Sequence, residues 1–208
     1  LIAGGAKDES YLAFADSFFS ARNGTPGTGI ATVDAGTARS ATAAAMVVYN
    51  AGSKTIVPIR LWLRATAVNT SASDLHFAFY TDTIDRYTSG GTAITEVAHH
   101  AASGVTAPTS SATIRFGELL LPAATSEVKL FTREVSTTIL AVDDTFDVWF
   151  GHAPGFHDIA TVTGHHETLV VHAPPAWIGP GASLIFQHWG ASQAADPAWE
   201  FDFLYVEK

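Results

Sequence analysis

Histidine and carboxylate side chains crowd one part of the chain, and they are the residue types best suited to metal chemistry. Several of them lie between positions 152 and 172: His152, His157, Asp158, His165, His166, Glu167 and His172. Imidazole and carboxylate groups together form ligand sets for zinc, iron or manganese. Adjacent residues of a strand point to opposite faces, so His165 and His166 could not both face one site. We therefore expect no metal ligands here.

A jelly roll with such a cluster resembles the metal-dependent cupins, and a cupin-like enzyme is the second alternative function. The cupin pattern places His-x-His and a following Glu at set spacing on one strand, with a later His, and this sequence departs from it. The pair His99-His100 has the same ambiguity.

Other catalytic signatures are missing from the sequence. It has no cysteine and no Gly-x-Ser-x-Gly nucleophile motif. Asp143 and Asp144 are better explained as a turn before a strand than as a catalytic acid and base, because short acidic side chains bond their own backbone in turns. The glycines at 24, 27 and 29 follow no strand and precede no Lys-Ser or Lys-Thr, as a phosphate loop would require. We expect a protein that is not an enzyme, with no catalytic residue and no cofactor.

Exposed aromatic residues offer a different chemistry, the stacking of a ring on a sugar. Among the five tryptophans, most stand at alternating strand positions where core packing is expected. Trp177 lies in the Pro- and Gly-rich segment 174–181 and is the one expected to be exposed. A carbohydrate- or receptor-binding β-sandwich module is therefore the first alternative function.

The charge composition limits the class of partner. The formal net charge is −9, and no stretch concentrates Lys or Arg, which argues against nucleic acid. No apolar run reaches the roughly 18 residues that span a bilayer, so no membrane partner is expected. Charged residues make up only 15% of the chain, against about 25% in typical soluble domains. A weakly charged surface of this kind is typical of assembly proteins.

The N-terminal 40 residues predict an extended arm with a short helix. Tyr11, Phe14 and Phe18 have helical spacing, and Asp8 and Ser10 could cap the helix. The following segment is rich in Gly, Thr and Pro and would need a neighbour to become ordered. We therefore divide the chain into an arm, 1–40, and a folded domain, 41–208.

From residue 41 onward the apolar residues alternate with a period of two, which predicts strands. In 55–68, Leu61 and Leu63 alternate with Trp62 and Arg64. Nine strands are predicted, at 41–49, 55–68, 75–79, 113–116, 128–135, 146–150, 168–172, 183–189 and 199–206. Such a series indicates an all-β fold, an antiparallel β-sandwich with a jelly roll as the favoured topology. The polar segment 83–111 is predicted to project as a loop.

The last predicted strand has one aromatic face, and its other face ends in Leu204 and Val206. A fully solvated outer face would remain polar to its end. A central strand inside a two-layer core would explain the pattern equally well. The alternative is that the N-terminal arm or a second subunit covers this end of the strand.

Three segments together resemble small virion proteins of tailed bacteriophages: Val48-Tyr-Asn-Ala-Gly-Ser-Lys-Thr-Ile-Val-Pro-Ile-Arg-Leu61, Ile84-Asp-Arg-Tyr-Thr-Ser-Gly-Gly-Thr92 and Ile178-Gly-Pro-Gly-Ala-Ser-Leu-Ile-Phe186. The resemblance covers about residues 41–208. It implies a capsid decoration or cement protein on the capsid surface of the virion, often a homotrimer, which binds the major capsid protein or other virion proteins. It supplies no catalytic residues. For the first alternative function, it implies a carbohydrate- or receptor-binding module of a phage tail or fibre. The expected interaction residues are Tyr11, Phe14, Phe18, Arg86, Tyr87, Trp177, Leu204 and Val206.

Overall fold

All regular secondary structure that the computed structural model describes is β-strand. The described residues are 17–23, 25–32, 38–67, 75–99, 106–135, 141–151, 156–158, 168–190 and 197–208. The strands are β1 (Phe18–Arg22), β2 (Ile30–Ala31), β3 (Ala43–Asn50), β4 (Ile56–Ala67), β5 (Leu75–Asp82), β6 (Ser89–Ile94), β7 (Glu96–Ala98), β8 (Ala112–Leu120), β9 (Val128–Val135), β10 (Thr145–Phe150), β11 (Phe156–Asp158), β12 (Thr168–Ala173), β13 (Ser183–Gly190) and β14 (Ala198–Glu207). The predicted all-β class is confirmed.

The strands form two sheets. Sheet A has eight strands in the order β11-β12-β10-β4-β14-β1-β7, with β2 also paired to β14. Sheet B has six strands in the order β6-β8-β3-β13-β5-β9. The strand pairs are antiparallel except for β10 and β12, which are parallel. Because consecutive strands β3, β4 and β5 alternate between the sheets, the chain crosses the core repeatedly.

The alternating apolar residues of both sheets meet in one core. On β14 the residues Phe201 and Phe203 are buried and lie opposite Leu63 and Leu61 of β4. Phe116 of sheet B stacks on Phe201 with ring centroids 4.1 Å apart. The two sheets therefore pack face to face in a sandwich-like arrangement, as the period of two requires.

A second, smaller apolar cluster lies on the outer face of sheet B. Its buried members are Ala44, Val47, Ala78, Tyr80, Leu119, Leu121 and Ile185. The Arg39 guanidinium lies 3.8 Å from the centre of the Tyr80 ring and also forms an ion pair with Glu127. Polar segments around residues 39–41 and 84–87 thus shield this face from water.

All nine predicted strands coincide with strands of the structure, and five others were missed: β1, β2, β6, β7 and β11. The expectation of a projecting loop at 83–111 is wrong for residues 89–98, which form β6 and β7. The start of β6 contains Gly90 and Gly91, both with positive φ. Such residues have low strand propensity, and pairing with β8 overrides it.

The predicted N-terminal arm, residues 1–40, is described only in part, and some of its described residues form strands. Tyr11 and Phe14, and with them most of the predicted helix, lie outside the described residues. Phe18 begins β1, where it lies opposite Val206 of β14. Since β1 and β2 both pair with β14, parts of the predicted arm belong to sheet A. The division of the chain at residue 40 stays a prediction.

Candidate functional site

The most exposed large apolar side chain among the described residues is Trp177, with 76% of its surface accessible. Its neighbours Ala176 and Ile178 are both buried. The segment that carries it, 174–182, connects β12 to β13 and is called the Trp177 loop below. A bare indole between two buried residues places a large aromatic surface in solvent with its backbone held in the protein.

Hydrogen bonds fix the Trp177 loop from within. The N–H of Ile178 donates to the carbonyl of Ile56 at 2.9 Å, and the Ile56 N–H donates back at 3.0 Å. The buried Asn50 side chain donates through Nδ2 to the carbonyls of Ile178, at 2.8 Å, and Lys54, at 2.6 Å. The Gly181 N–H donates to the Asn50 carbonyl at 2.9 Å. The loop is therefore ordered before any partner arrives, so binding would cost little conformational entropy.

The Trp177 loop contains no charged residue. Pro175 and Pro180 are exposed on the same loop, and Lys54 is an exposed cation of the neighbouring 51–55 turn. Aromatic and proline surfaces lose little side-chain entropy on contact. This surface suits an apolar contact with a partner better than the capture of a charged ligand.

A polar cluster holds another loop at the same end of the sandwich. The Glu207 carboxylate accepts from Ser110 Oγ at 2.8 Å and from the Ser111 N–H at 2.7 Å. Ser110 Oγ also lies 2.6 Å from the Tyr205 hydroxyl. Burial raises the pKa of Tyr205, and burial likewise raises the pKa of the nearby Glu96 carboxyl. The cluster ties residues 110–111 to the last strand and so fixes the surroundings of the Trp177 loop.

Three of the predicted interaction residues meet on the outer face of sheet A. Phe18 and Val206 are buried and lie opposite each other, and the Phe18 ring makes an edge-to-face contact with His99 at 4.8 Å. Leu204 is half-buried, with Arg60 and Ser20 as its neighbours in the two adjoining strands. Strand β1 of the same chain thus lies beside the end of the last strand.

Arg86 and Tyr87 are engaged within the chain. Arg86 has no exposed surface; its Nη1 donates to Asp82 at 2.9 Å and to Glu127 at 2.8 Å. Its Nη2 donates to the Ala41 carbonyl at 2.8 Å. The half-buried Tyr87 donates through its hydroxyl to the Gly90 carbonyl at 3.2 Å. Through these bonds Arg86 holds together the segments around residues 39–41 and 84–87, which shield the outer face of sheet B.

Ion pairs occupy much of the outer face of sheet A. Arg60 binds Asp147 through two bonds of 2.6 and 2.9 Å, and its guanidinium lies 5.1 Å from the Trp149 ring centre. Arg64 binds Glu200 at 3.0 Å. Because these arginines and carboxylates are already paired with one another, we consider this face less suited to binding a partner than the Trp177 loop.

The histidine-rich stretch lies mostly outside the described residues. His157 and Asp158 are in β11 and His172 is in β12, whereas His152, His165, His166 and Glu167 are not described. Within the described part of the chain, no three His, Cys, Asp or Glu residues are arranged to hold a metal ion.

Sequence reasoning selected Trp177 for exposure but missed Asn50, which holds its loop. The signal was present in the turn Asn50-Ala-Gly-Ser53, because a buried turn asparagine commonly bonds to backbone groups. Its partner Ile178 is 128 residues away in sequence, a contact that no local pattern reports.

No protein-family model matches this sequence, and no curated protein and no solved structure is similar enough to it to count as a match. The described residues include no helix with the length and apolarity to cross a membrane.

Proposed function

We propose that the protein is a non-enzymatic structural component of a virion, a capsid decoration or cement protein that binds the major capsid protein or another virion protein at the capsid surface. The observation that carries the proposal is the exposed Trp177 ring on a loop already fixed by Asn50 and Ile56. Tryptophan is enriched among the residues that dominate protein–protein binding energy. A rigid, weakly charged module that presents such a residue is suited to clamping neighbouring subunits.

The strand connections support a jelly roll as the finer topology in this proposal. Strands β3, β4 and β5 pass from sheet B to sheet A and back, and β13 lies between β3 and β5. Long crossings from sheet to sheet are a feature of jelly rolls. The proposed oligomer is a homotrimer, in which N-terminal residues reach a neighbouring subunit.

Repetition on a lattice would strengthen a modest contact. A capsid presents many identical sites, so a trimer engages several at once and gains avidity without new contacts. One tryptophan per subunit can then be sufficient to hold the protein on the particle.

Purified particles of the virus that encodes the chain provide the test. An antibody raised against the recombinant protein should detect it in gradient-purified particles at a fixed ratio to the major capsid protein. Its absence from intact particles would contradict the proposal.

Rebinding to particles stripped of the protein tests the role of Trp177. The Trp177→Ala variant should lose at least tenfold in affinity, since truncation of a binding hot spot costs about 2 kcal/mol or more. Leu120→Ala is the matched control, because Leu120 is also an exposed apolar residue, at 56%, but lies at the end of β8 in sheet B. Equal binding by both variants would remove Trp177 from the interface.

A further inference from the structure

A second site lies at the opposite end of β4 from the Trp177 loop. Residues 22, 23, 25 and 28–30 on one side and residues 92–95 and 97 on the other border an open surface cleft of about 580 Å³. Typical small-molecule sites have volumes of about 300–1,000 Å³. We call it the Arg22 cleft, after the cation at its wall. It is large enough for one or two sugar rings.

The walls of the Arg22 cleft are fixed by contacts to the core. The Asn23 side chain donates to the Thr28 carbonyl at 2.6 Å and accepts from the Phe201 N–H at 2.9 Å. Gly29 packs so closely that a Cβ there would overlap Thr66 Oγ1 and press on the Trp199 backbone. The cleft is thus formed without a ligand, as binding sites usually are.

Arg22 supplies the cation of the cleft. Its side chain is exposed and forms no ion pair within the described part of the chain. Asp202 lies opposite it in the β1–β14 register, but the two side chains do not make a salt bridge. The pKa of His99 is lowered by burial and then by the charge of Arg22, whereas the charge of Asp202 raises it, so both charges are felt on this face. A guanidinium in this state is suited to bind a carboxylate through paired N–H donors.

Four threonines line the cleft together with the apolar residues Ile30, Ala93 and Ile94. Thr25, Thr28, Thr92 and Thr95 are all exposed, and their side-chain hydroxyls form no hydrogen bond with any described residue. Each can donate one bond and accept two. Val97, which is 50% exposed, adds an apolar surface at the same wall. Free hydroxyls, an apolar surface and one free cation match a ligand with hydroxyls, a ring face and one negative charge.

We propose that the Arg22 cleft binds a carboxylated sugar residue, a sialic or uronic acid of a glycan. Arg22 pairs with the sugar carboxylate, the threonines bond the ring hydroxyls, and Val97 contacts the apolar face of the ring. This site goes beyond the decoration role, does not depend on it and does not involve Trp177.

Titration calorimetry and NMR of the full chain with N-acetylneuraminic acid, glucuronic acid, glucose and acetate test the proposal. At least one acidic sugar should bind saturably in the millimolar range, with shift changes at Arg22, Thr28, Thr92 and Thr95. Glucose and acetate should each bind at least tenfold more weakly, because each lacks one half of the recognised groups. If acetate binds as tightly as the sugars, the site recognises a carboxylate alone and the proposal is overturned. Equal binding of glucose, or no binding of either acidic sugar, overturns it as well.

Variants place the binding in the cleft. Arg22→Gln should weaken acidic-sugar binding about tenfold or more, the usual effect of losing charge-assisted hydrogen bonds. Lys54→Gln removes the same charge at the other end of the sandwich and should bind as the wild type does. Thr92→Val keeps the shape of the wall and should weaken binding of the sugar but not of acetate, so the selectivity for the sugar over acetate should fall. Unchanged affinity in a folded Arg22→Gln protein, with its Tm within a few degrees of wild type, overturns the proposal.

Discussion

His188 should make the protein sensitive to acid. Its side chain is buried among Phe77, Phe186 and Trp199, and its Nε2 lies 2.6 Å from the hydroxyl of Thr32. The Nδ1 atom is buried and has no hydrogen-bond partner among the described residues. Protonation would therefore place a charge and an unsatisfied N–H in an apolar site, which is costly.

The size and sign of the effect follow from the pKa. Burial lowers the pKa of His188 from 6.5 to about 4. Between these values the unfolded chain binds a proton that the folded chain does not, so the free energy of unfolding falls as the pH falls. At about 1.4 kcal/mol per pKa unit, the loss reaches about 3 kcal/mol by pH 4. This stability is fully present above pH 6.5.

Denaturant unfolding of wild type and His188→Gln at pH 7 and pH 4.5 measures the effect. Glutamine can still bond to Thr32 but takes up no proton, so the variant should lose about 2–3 kcal/mol less than wild type over this interval. His76→Gln is the matched control, because His76 lies half-exposed on the outer face of sheet B and stacks on Trp189 at 5.2 Å.

Parallel pH dependence in wild type and His188→Gln would refute the reasoning. It would mean that acid destabilises the protein only through carboxylates. Asp82 is one such group, because hydrogen bonds from the backbone N–H groups of Ser126 and Thr125, and then from Arg86, outweigh burial and lower its pKa. A pH dependence lost equally in His76→Gln would refute the assignment to His188.

Two further predictions concern stability. Arg86→Met leaves the carboxylates of Asp82 and Glu127 without their buried cation and should lower the free energy of unfolding by denaturant by about 3 kcal/mol or more. The control Arg64→Met removes a more exposed ion pair and should lower it by about 1 kcal/mol or less. Equal losses would contradict a stabilising role for the buried ion pairs of Arg86. Deletion of residues 1–22 removes β1 and with it the buried Phe19. Calorimetry should show a Tm at least several degrees below that of the control, a deletion of residues 1–16. Equal Tm values for the two deletions would mean that β1 contributes nothing to the core.

Local alternation was enough to locate the long strands. In β4 and β14 every second residue is apolar, and each of these strands has one face in the core, so the pattern reports burial directly. Trp177 was also accessible to sequence reasoning, because a tryptophan between prolines and glycines has no strand or helix to turn it inward. These inferences need only neighbouring residues.

The position of Phe18 and Arg86 depends on distant parts of the chain. Phe18 has helical spacing with Tyr11 and Phe14 but is a strand residue, because pairing with Val206, near the far end of the chain, satisfies its backbone in sheet A. Arg86 is a charged residue in a polar segment, where the sequence predicts exposure. It is buried because it forms ion pairs with the carboxylates of Asp82 and Glu127.

By itself, the amino-acid sequence determined that the chain is all-β, that one face of β4 and one face of β14 lie in the core, and that Trp177 is exposed, because these properties follow from the order of polar and apolar side chains. Only the tertiary structure decided that Asn50 holds the Trp177 loop, that His188 is buried among aromatic rings, and that Arg22 and four threonines line one cleft. Each of these sites joins segments far apart in sequence, and their meeting depends on strand pairing and register across the whole sheet.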